Sequence, residues 1–233
     1  MHIPDGFLDA PTSVATGAVA VAGVGLCLRK ARAELDERTA PLAGLVAAFI
    51  FAAQMFNFPV ASGTSGHVLG GALATVLVGP WLGALCVSVV LMVQALLFAD
   101  GGLTALGSNI CLMAFVTVAT AQLVLSIGRR VLPATKSSVV ASSFVAALVS
   151  VPTAALAFSL LFAVGGTTDV PLSTLVTAMV SVHVLIGLGE AVVTAFTVSS
   201  VLAVRPDLVR AARHLLPTGA ALAGRPEATR GAA

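Results

Sequence analysis

The sequence contains very little charge. Only 9% of its 233 residues are Asp, Glu, Lys or Arg, whereas soluble globular domains carry about 25%. Hydrophobic residues make up 58% of the chain, and the mean hydropathy is +1.05. These values exclude an ordinary soluble globular protein. They predict an integral membrane protein with the lipid bilayer as its surroundings and no nucleic acid partner.

Basic residues are absent from the start of the chain. The first one is Arg29, whereas a secretory signal peptide needs positive charge ahead of its apolar core. No cleavage signal is visible, and we therefore expect the first residues to persist in the mature protein. The Met1 amine and the His2 imidazole then provide two nitrogen donors on adjacent residues.

Two further motifs are missing. The three cysteines are isolated in apolar stretches without C-x-x-C spacing, which argues against a thiolate metal site or a disulfide framework. No G-x-x-x-x-G-K-[ST] motif occurs, and Lys30 and Lys136 are the only lysines. Any energy from ATP must therefore come from another polypeptide.

Apolar residues are concentrated in seven predicted helical segments. Their approximate bounds are Thr12–Leu28, Pro41–Phe56, Val68–Val78, Trp81–Phe98, Leu106–Ile127, Ser138–Val164 and Leu172–Val204. The third segment is short compared with the ~20 residues that cross a bilayer, so it also permits fusion with the fourth into one span.

The positions of the charges favour seven spans over six. With seven spans and the N-terminus outside, all 12 Lys and Arg residues fall on the inner side, whereas fusion would move Arg129, Arg130 and Lys136 outside, against the positive-inside bias. We therefore predict an all-α bundle of seven transmembrane helices over residues 1–204. Residues 205–233 are predicted to form a cytoplasmic tail, a short amphipathic helix followed by a disordered end.

A glycine-rich loop, NFPVASGTSGHVLGG, separates the second and third segments. His67 is its only ionisable side chain, and the glycines permit close approach of other groups. The Met1 amine, the His2 amide nitrogen and His2 Nδ1 can bind one metal ion in two fused chelate rings, with His67 as a fourth donor. Loss of the amide proton requires a strongly polarising ion, and a planar array of nitrogens suits Ni(II) or Cu(II) better than tetrahedral Zn(II).

From residue types alone, simpler interpretations stay open. A histidine near a terminus is usually a solvated surface residue, and one among glycines is often a turn residue. In the last segment, His183 lies seven residues before Glu190, on the same helix face. Ionisable residues within a membrane are candidates for function, although a structural network fits equally. His214, in the tail, is expected to be inert.

Four stretches together resemble a known family: MHIPDGFL, SGTSGHVLGG, FADGGLTALGSN and HVLIGLGEAVVT. They are similar to CbiM and NikM, the substrate-capturing membrane components of energy-coupling-factor cobalt and nickel transporters, over the chain to about Arg213. The resemblance implies a seven-helix fold with the N-terminus inserted at the outer face. It implies that Met1, His2 and His67 hold the ion, and that Asn109, His183 and Glu190 orient those ligands.

The resemblance also implies partners and a location. They are a transmembrane coupling subunit, cytoplasmic ATPase subunits and a small accessory membrane subunit, assembled in the plasma membrane. The expected substrate is Co(II) or Ni(II), and nothing in the sequence distinguishes the two. Two other classes are a self-sufficient proton-coupled metal carrier and an intramembrane metalloenzyme, each using His183 and Glu190. The absence of H-E-x-x-H weighs against the enzyme.

Overall fold

The computed structural model describes residues 1–37, 39–56, 58–59 and 65–215. Within them the chain is predominantly helical, and each of the seven predicted segments contains a helix. The helices are α1 (Ala10–Ala31), α2 (Thr39–Gln54), α3 (Gly71–Val78), α4 (Pro80–Leu97), α5 (Leu106–Val131), α6 (Lys136–Gly165) and α7 (Leu172–Val204). Of these described helices, α1, α4, α5, α6 and α7 are long and apolar enough to cross a membrane. The protein is therefore an all-α, multi-pass membrane protein.

The helix ends follow local chemistry. The Asp9 side chain caps α1 by accepting the Thr12 N–H at 2.9 Å, and Thr135 caps α6 by accepting the Ser138 N–H at 3.2 Å. Arg29 and Lys30 lie in the last turn of α1, where positive charge interacts favourably with the helix dipole. Caps of this kind extend α1 and α6 by a few residues beyond their apolar cores.

Helix α3 lies in the centre of the bundle, because all eight of its residues are buried. It ends at Gly79, whose φ of +90° is a conformation that favours glycine, and Pro80 then begins α4. A Cβ at Gly83 would lie 3.0 Å from the Ala74 carbonyl carbon, so α4 packs closely against α3. The chain therefore breaks between α3 and α4 at Gly79, within the predicted GPWLG turn, and the other four residues of that stretch belong to α4.

The two ends of the bundle differ in charge. At the first, called here the Met1 end, α1 begins beside the end of α6, where the Asp9 N–H donates to the Gly165 carbonyl at 2.8 Å. The opposite end, called the Arg210 end, carries every basic residue in the described part of the chain. These are Arg29, Lys30, Arg32, Arg129, Arg130, Lys136, Arg205, Arg210 and Arg213. Arg38, predicted to lie with them, is outside the described residues.

The start of the tail differs from the prediction. Instead of one amphipathic α-helix, it forms two short 3₁₀ turns, Pro206–Leu208 and Arg210–Leu215. Arg205 pairs with Asp207 at 2.7 Å, and side chains two residues apart do not face each other on an α-helix. The predicted disordered end, from residue 216, lies outside the described residues.

The α2–α3 connection contains a short antiparallel pairing of Phe58–Pro59 with Ser65–Gly66. This pairing leads directly into the His67 segment.

Helix α5 contains a π-helical turn over Cys111–Val116, just after Asn109. Such turns are frequently found at functional sites.

Candidate metal centre

The N-terminal arm, residues 1–9, inserts into the Met1 end of the bundle. Met1 is 1% exposed and Ile3 is fully buried. The Ile3 N–H donates to Asn109 Oδ1 at 2.8 Å, while the Ile3 carbonyl accepts Asn109 Nδ2 at 3.2 Å and the Gly102 N–H at 2.8 Å. Since Pro4 disfavours a helical Ile3, the arm stays extended and offers its main chain to these partners.

The second half of the arm is fixed to the α6–α7 connection and to the start of α5. The Thr167 N–H donates to the Phe7 carbonyl at 3.2 Å, and the Phe7 ring lies 5.3 Å from that of Phe162. Thr104 donates from both its N–H and its hydroxyl to Asp5, at 2.7 and 2.6 Å, and these bonds lower the pKa of the Asp5 carboxyl. The first three residues are therefore held in one position.

The His2 ring is 5% exposed and lies between three polar side chains. Its Nε2 is 3.2 Å from Gln94 Oε1, and its Nδ1 is 3.2 Å from Asp100 Oδ1. Although this second distance is short enough for an ion pair, Nδ1 makes no hydrogen bond with described residues, because the direction is unsuitable. The third neighbour is His67, whose ring centroid lies 4.5 Å from that of His2 with the planes inclined by 29°.

His67 presents a free nitrogen lone pair. Its Nδ1 donates to the Val68 carbonyl oxygen at 2.7 Å, which leaves Nε2 unprotonated, and Nε2 is buried without a hydrogen-bond partner among the described residues. The Met1 amine, His2 and His183 all lie close enough to His67 to interact with it electrostatically. These four groups therefore surround one small region.

The Met1 amine is also suited to binding a cation. Burial lowers its pKa from 8.0 to about 4, a shift that the nearby Asp100 carboxylate partly opposes. The buried amine is therefore neutral at physiological pH and carries a free lone pair. A metal ion does not have to compete with a proton for this nitrogen.

His183 and Glu190 share one face of α7 but have separate partners. His183 donates from Nδ1 to the Met179 carbonyl at 2.7 Å, and its Nε2 is buried without a described hydrogen-bond partner. Glu190 accepts the N–H groups of Leu69 and Gly70 at 2.6 and 3.0 Å. Glu190 thus holds the segment between His67 and α3.

The structure brings most of the predicted site residues together. The arm carries Met1 and His2, and next to it lie His67, Asn109 and His183. Glu190 does not contact the arm in these interactions; it accepts the N–H groups of Leu69 and Gly70. His214 is exposed at the Arg210 end, beside a cavity of about 220 Å³ that Arg210 and Glu34 also line.

Among the described residues, no three His, Cys, Asp or Glu side chains form a metal-binding group. Sequence reasoning missed Gln94 and the role of Asp100. A lone glutamine within the apolar stretch LMVQALL was the available signal.

A family model described as the cobalt uptake substrate-specific transmembrane region, CbiM, matches residues 2–208. The fold defines an all-α, multi-pass membrane protein, and the family match defines it further. The chain belongs to the CbiM family, which confirms the resemblance found in the sequence.

Curated relatives agree with this assignment. A putative metal transport protein of Haloquadratum walsbyi is 39% identical, over 90% of this chain and 93% of the relative. A putative fused nickel transport protein NikMN of Archaeoglobus fulgidus is 39% identical over 90% of this chain and 68% of its own. The cobalt transport protein CbiM of Sorangium cellulosum is 32% identical over 90% of this chain and 94% of its own.

A solved structure shares the fold. The crystal structure of a transition metal transporter matches with a TM-score of 0.73 and 30% sequence identity. The match covers 88% of this chain and 93% of the solved one.

Proposed function

We propose that this chain is the substrate-capturing subunit of an ATP-driven energy-coupling-factor transporter that imports Co(II) or Ni(II). It is a transporter subunit and not an enzyme. The ion is held by the Met1 amine, by the His2 amide nitrogen and Nδ1, and by His67 Nε2. Met1 is the N-terminus of the mature protein in this proposal.

The juxtaposition of His2 and His67 is the observation that carries the proposal. In the planar arrangement of four nitrogens, the His2 amide nitrogen lies between the Met1 amine and His2 Nδ1. His67 takes the fourth position, opposite the amide nitrogen and next to His2 Nδ1. Two imidazoles on neighbouring corners of one ion, with bonds of ~2.0 Å, have ring centroids roughly 4.5 Å apart. The observed separation is 4.5 Å, and both nitrogens concerned lack hydrogen-bond partners among the described residues.

The donor set restricts the type of ion. Three of the four nitrogens come from two adjacent residues, and one of them is an amide nitrogen that must lose its proton. Only a strongly polarising ion that accepts a nearly planar arrangement is compatible, which disfavours tetrahedral Zn(II). The names of the relatives, nickel transport protein NikMN and cobalt transport protein CbiM, support nickel or cobalt as the substrate.

The orientation proposed is N-terminus outside, in the plasma membrane, with seven helical segments traversing the bundle. The basic Arg210 end then faces the cytoplasm, in agreement with the positive-inside bias. Helix α3 has only eight residues and covers about 12 Å. The segment from Gly66 to Gly70 is up to about 16 Å long when extended, and it covers the part of the membrane thickness that α3 does not span. In the proposed orientation His67 lies below the outer surface.

The proposed partners are a transmembrane coupling subunit, cytoplasmic ATPase subunits and a small accessory membrane subunit. The absence of a phosphate-binding G-x-x-x-x-G-K motif from the sequence supports an external source of energy. The fused NikMN relatives, which are longer than this chain, support association with a further component.

Uptake of radioactive cobalt and nickel by cells tests the proposal. Cells expressing all subunits are expected to accumulate at least one of the ions, to stop when ATP is depleted, and to fail with His67→Ala but not with His214→Ala. Uptake by this chain alone, insensitive to ATP depletion, would instead establish a self-sufficient carrier.

A further inference from the structure

Gln94 is a buried amide within an apolar helix. It lies four residues before Phe98 near the end of α4 and has no exposed surface. A polar group in such a position is costly unless it has a defined partner. Its Oε1 lies 3.2 Å from His2 Nε2, and its main-chain carbonyl accepts the N–H groups of Phe98 and Asp100, each at 3.1 Å. One residue therefore contacts the His2 ring and also positions the segment that carries Asp100.

The contact with Gln94 determines where the His2 proton lies. A neutral imidazole carries one N–H, and an amide oxygen can only accept a hydrogen bond. With Gln94 Oε1 facing His2 Nε2, and Gln94 Nε2 without a hydrogen-bond partner among the described residues, the contact favours a proton on His2 Nε2. The lone pair is then on Nδ1, the only ring nitrogen close enough to the main chain to close a six-membered chelate ring with the His2 amide nitrogen.

Asp100 competes for the same proton from the other side of the ring. Its Oδ1 lies 3.2 Å from His2 Nδ1, and a carboxylate is also an acceptor. Without Gln94, a small rotation of the ring would let Nδ1–H donate to Asp100. The nitrogen needed for the ion would then be protonated.

We propose that Gln94 is a positioning residue that holds His2 in the Nε2–H tautomer and so reserves Nδ1 for the ion. This inference rests on the proposed function, since it assumes that His2 binds the substrate. Such partners of metal-binding histidines typically affect affinity 10- to 100-fold.

Nitrogen-15 NMR of the metal-free, full-length protein labelled in histidine reports the tautomer directly. The chain has only four histidines, and the His2 signals are assigned by their absence in His2→Ala. At about pH 8.5, above the ordinary pKa of histidine, wild-type protein is expected to show an Nε2–H His2. An Nδ1–H tautomer in the wild-type protein would overturn the inference, and this measurement depends on no Gln94 variant.

Gln94→Met keeps the length of the side chain but removes the amide. It is expected to shift His2 towards Nδ1–H and to weaken Ni(II) binding by ~10- to 100-fold. Adding Asp100→Ala removes the competing acceptor and should restore part of the Nε2–H population. Gln122→Met, on a half-buried glutamine of α5 that bonds to Ser126, is the matched control and should leave the His2 signals unchanged.

An Nε2–H tautomer and wild-type affinity in Gln94→Met would overturn the inference, as would an Nδ1–H tautomer that persists in the double variant. Failure of the proposed function has a different signature. In that case the wild-type protein does not bind Ni(II) or Co(II) through His2, whereas the tautomer can still be read from the metal-free spectra.

Discussion

Asn109 and Ile3 exchange two hydrogen bonds, as paired residues of adjacent strands do, although Asn109 contributes its side chain from within a helix. Its Oδ1 accepts the Ile3 N–H at 2.8 Å and its Nδ2 donates to the Ile3 carbonyl at 3.2 Å. Because Ile3 follows His2 directly, this pair fixes the height at which Met1 and His2 enter the bundle. The geometry of the proposed chelate therefore depends on a residue that does not touch the ion.

Asn109→Ala should lower both the stability and the affinity for Ni(II) or Co(II). It leaves the buried Ile3 N–H without its partner, which typically costs about 1–3 kcal/mol. Thermal unfolding in detergent and metal titration measure the two effects, with Thr177→Ala on the exposed face of α7 as the control. Unchanged affinity in Asn109→Ala would show that the arm does not depend on this pair.

Glu190→Ala should destabilise the start of α3 and weaken metal binding together. The carboxylate accepts two buried main-chain N–H groups of the segment that carries His67. Glu190→Gln retains one amide oxygen as acceptor, so its stability and uptake should lie between those of the wild type and Glu190→Ala. The exposed Glu37→Gln serves as the control. Complete loss of uptake in a normally stable Glu190→Gln would favour a proton-transfer role instead.

His67→Ala should weaken metal binding at least tenfold while leaving the helices in place, since it removes one of four nitrogens from a connecting segment. The exposed His214→Ala, at the Arg210 end, should bind like the wild type. Titration with a competing chelator measures affinity, and circular dichroism checks the helices. Equal binding by the two variants would require a different fourth ligand.

The stability of the metal-free protein should rise with pH between about pH 4 and pH 8. The folded Met1 amine has a pKa of about 4, against 8.0 ordinarily. Within this window the amine binds a proton in the unfolded chain and none in the folded one, and this contribution makes unfolding harder as pH increases. Unfolding temperatures across the range provide the test, and acetylation of Met1 should flatten the upper part of the profile. A flat profile in the unmodified protein would contradict the burial of a neutral amine.

The sequence predicts the helices well because membrane spans are defined by apolar composition. The predicted segment Thr12–Leu28 lies within α1, whose extra residues come from the Asp9 cap, and the turn at Gly79 follows from glycine and proline chemistry. The start of the tail forms two short 3₁₀ turns in place of the single helix predicted, and its contact with the bundle through Arg210 and Glu34 could not be read from the sequence.

The site could be predicted only in part. Chelation by Met1 and His2 depends on adjacent residues and can be read from the chain. The contact between His2 and Gln94 joins residues 92 positions apart, so only tertiary packing brings them together. The hydrogen bonds of Glu190 to Leu69 and Gly70 likewise depend on how α7 packs against the His67 segment, and its spacing from His183 suggested a different pair.

Blocking the Met1 amine shows whether this nitrogen is a ligand of the metal ion. Two forms of the full-length protein are compared by titration with Ni(II) and Co(II). Both carry a C-terminal tag; one has a free Met1 and the other an acetylated or extended N-terminus. Blocking removes the amine donor, and an added residue moves His2 out of second position. High-affinity binding by the free form and its loss in the blocked form are expected, whereas equal affinity in the two forms would contradict a role of the Met1 amine as a ligand.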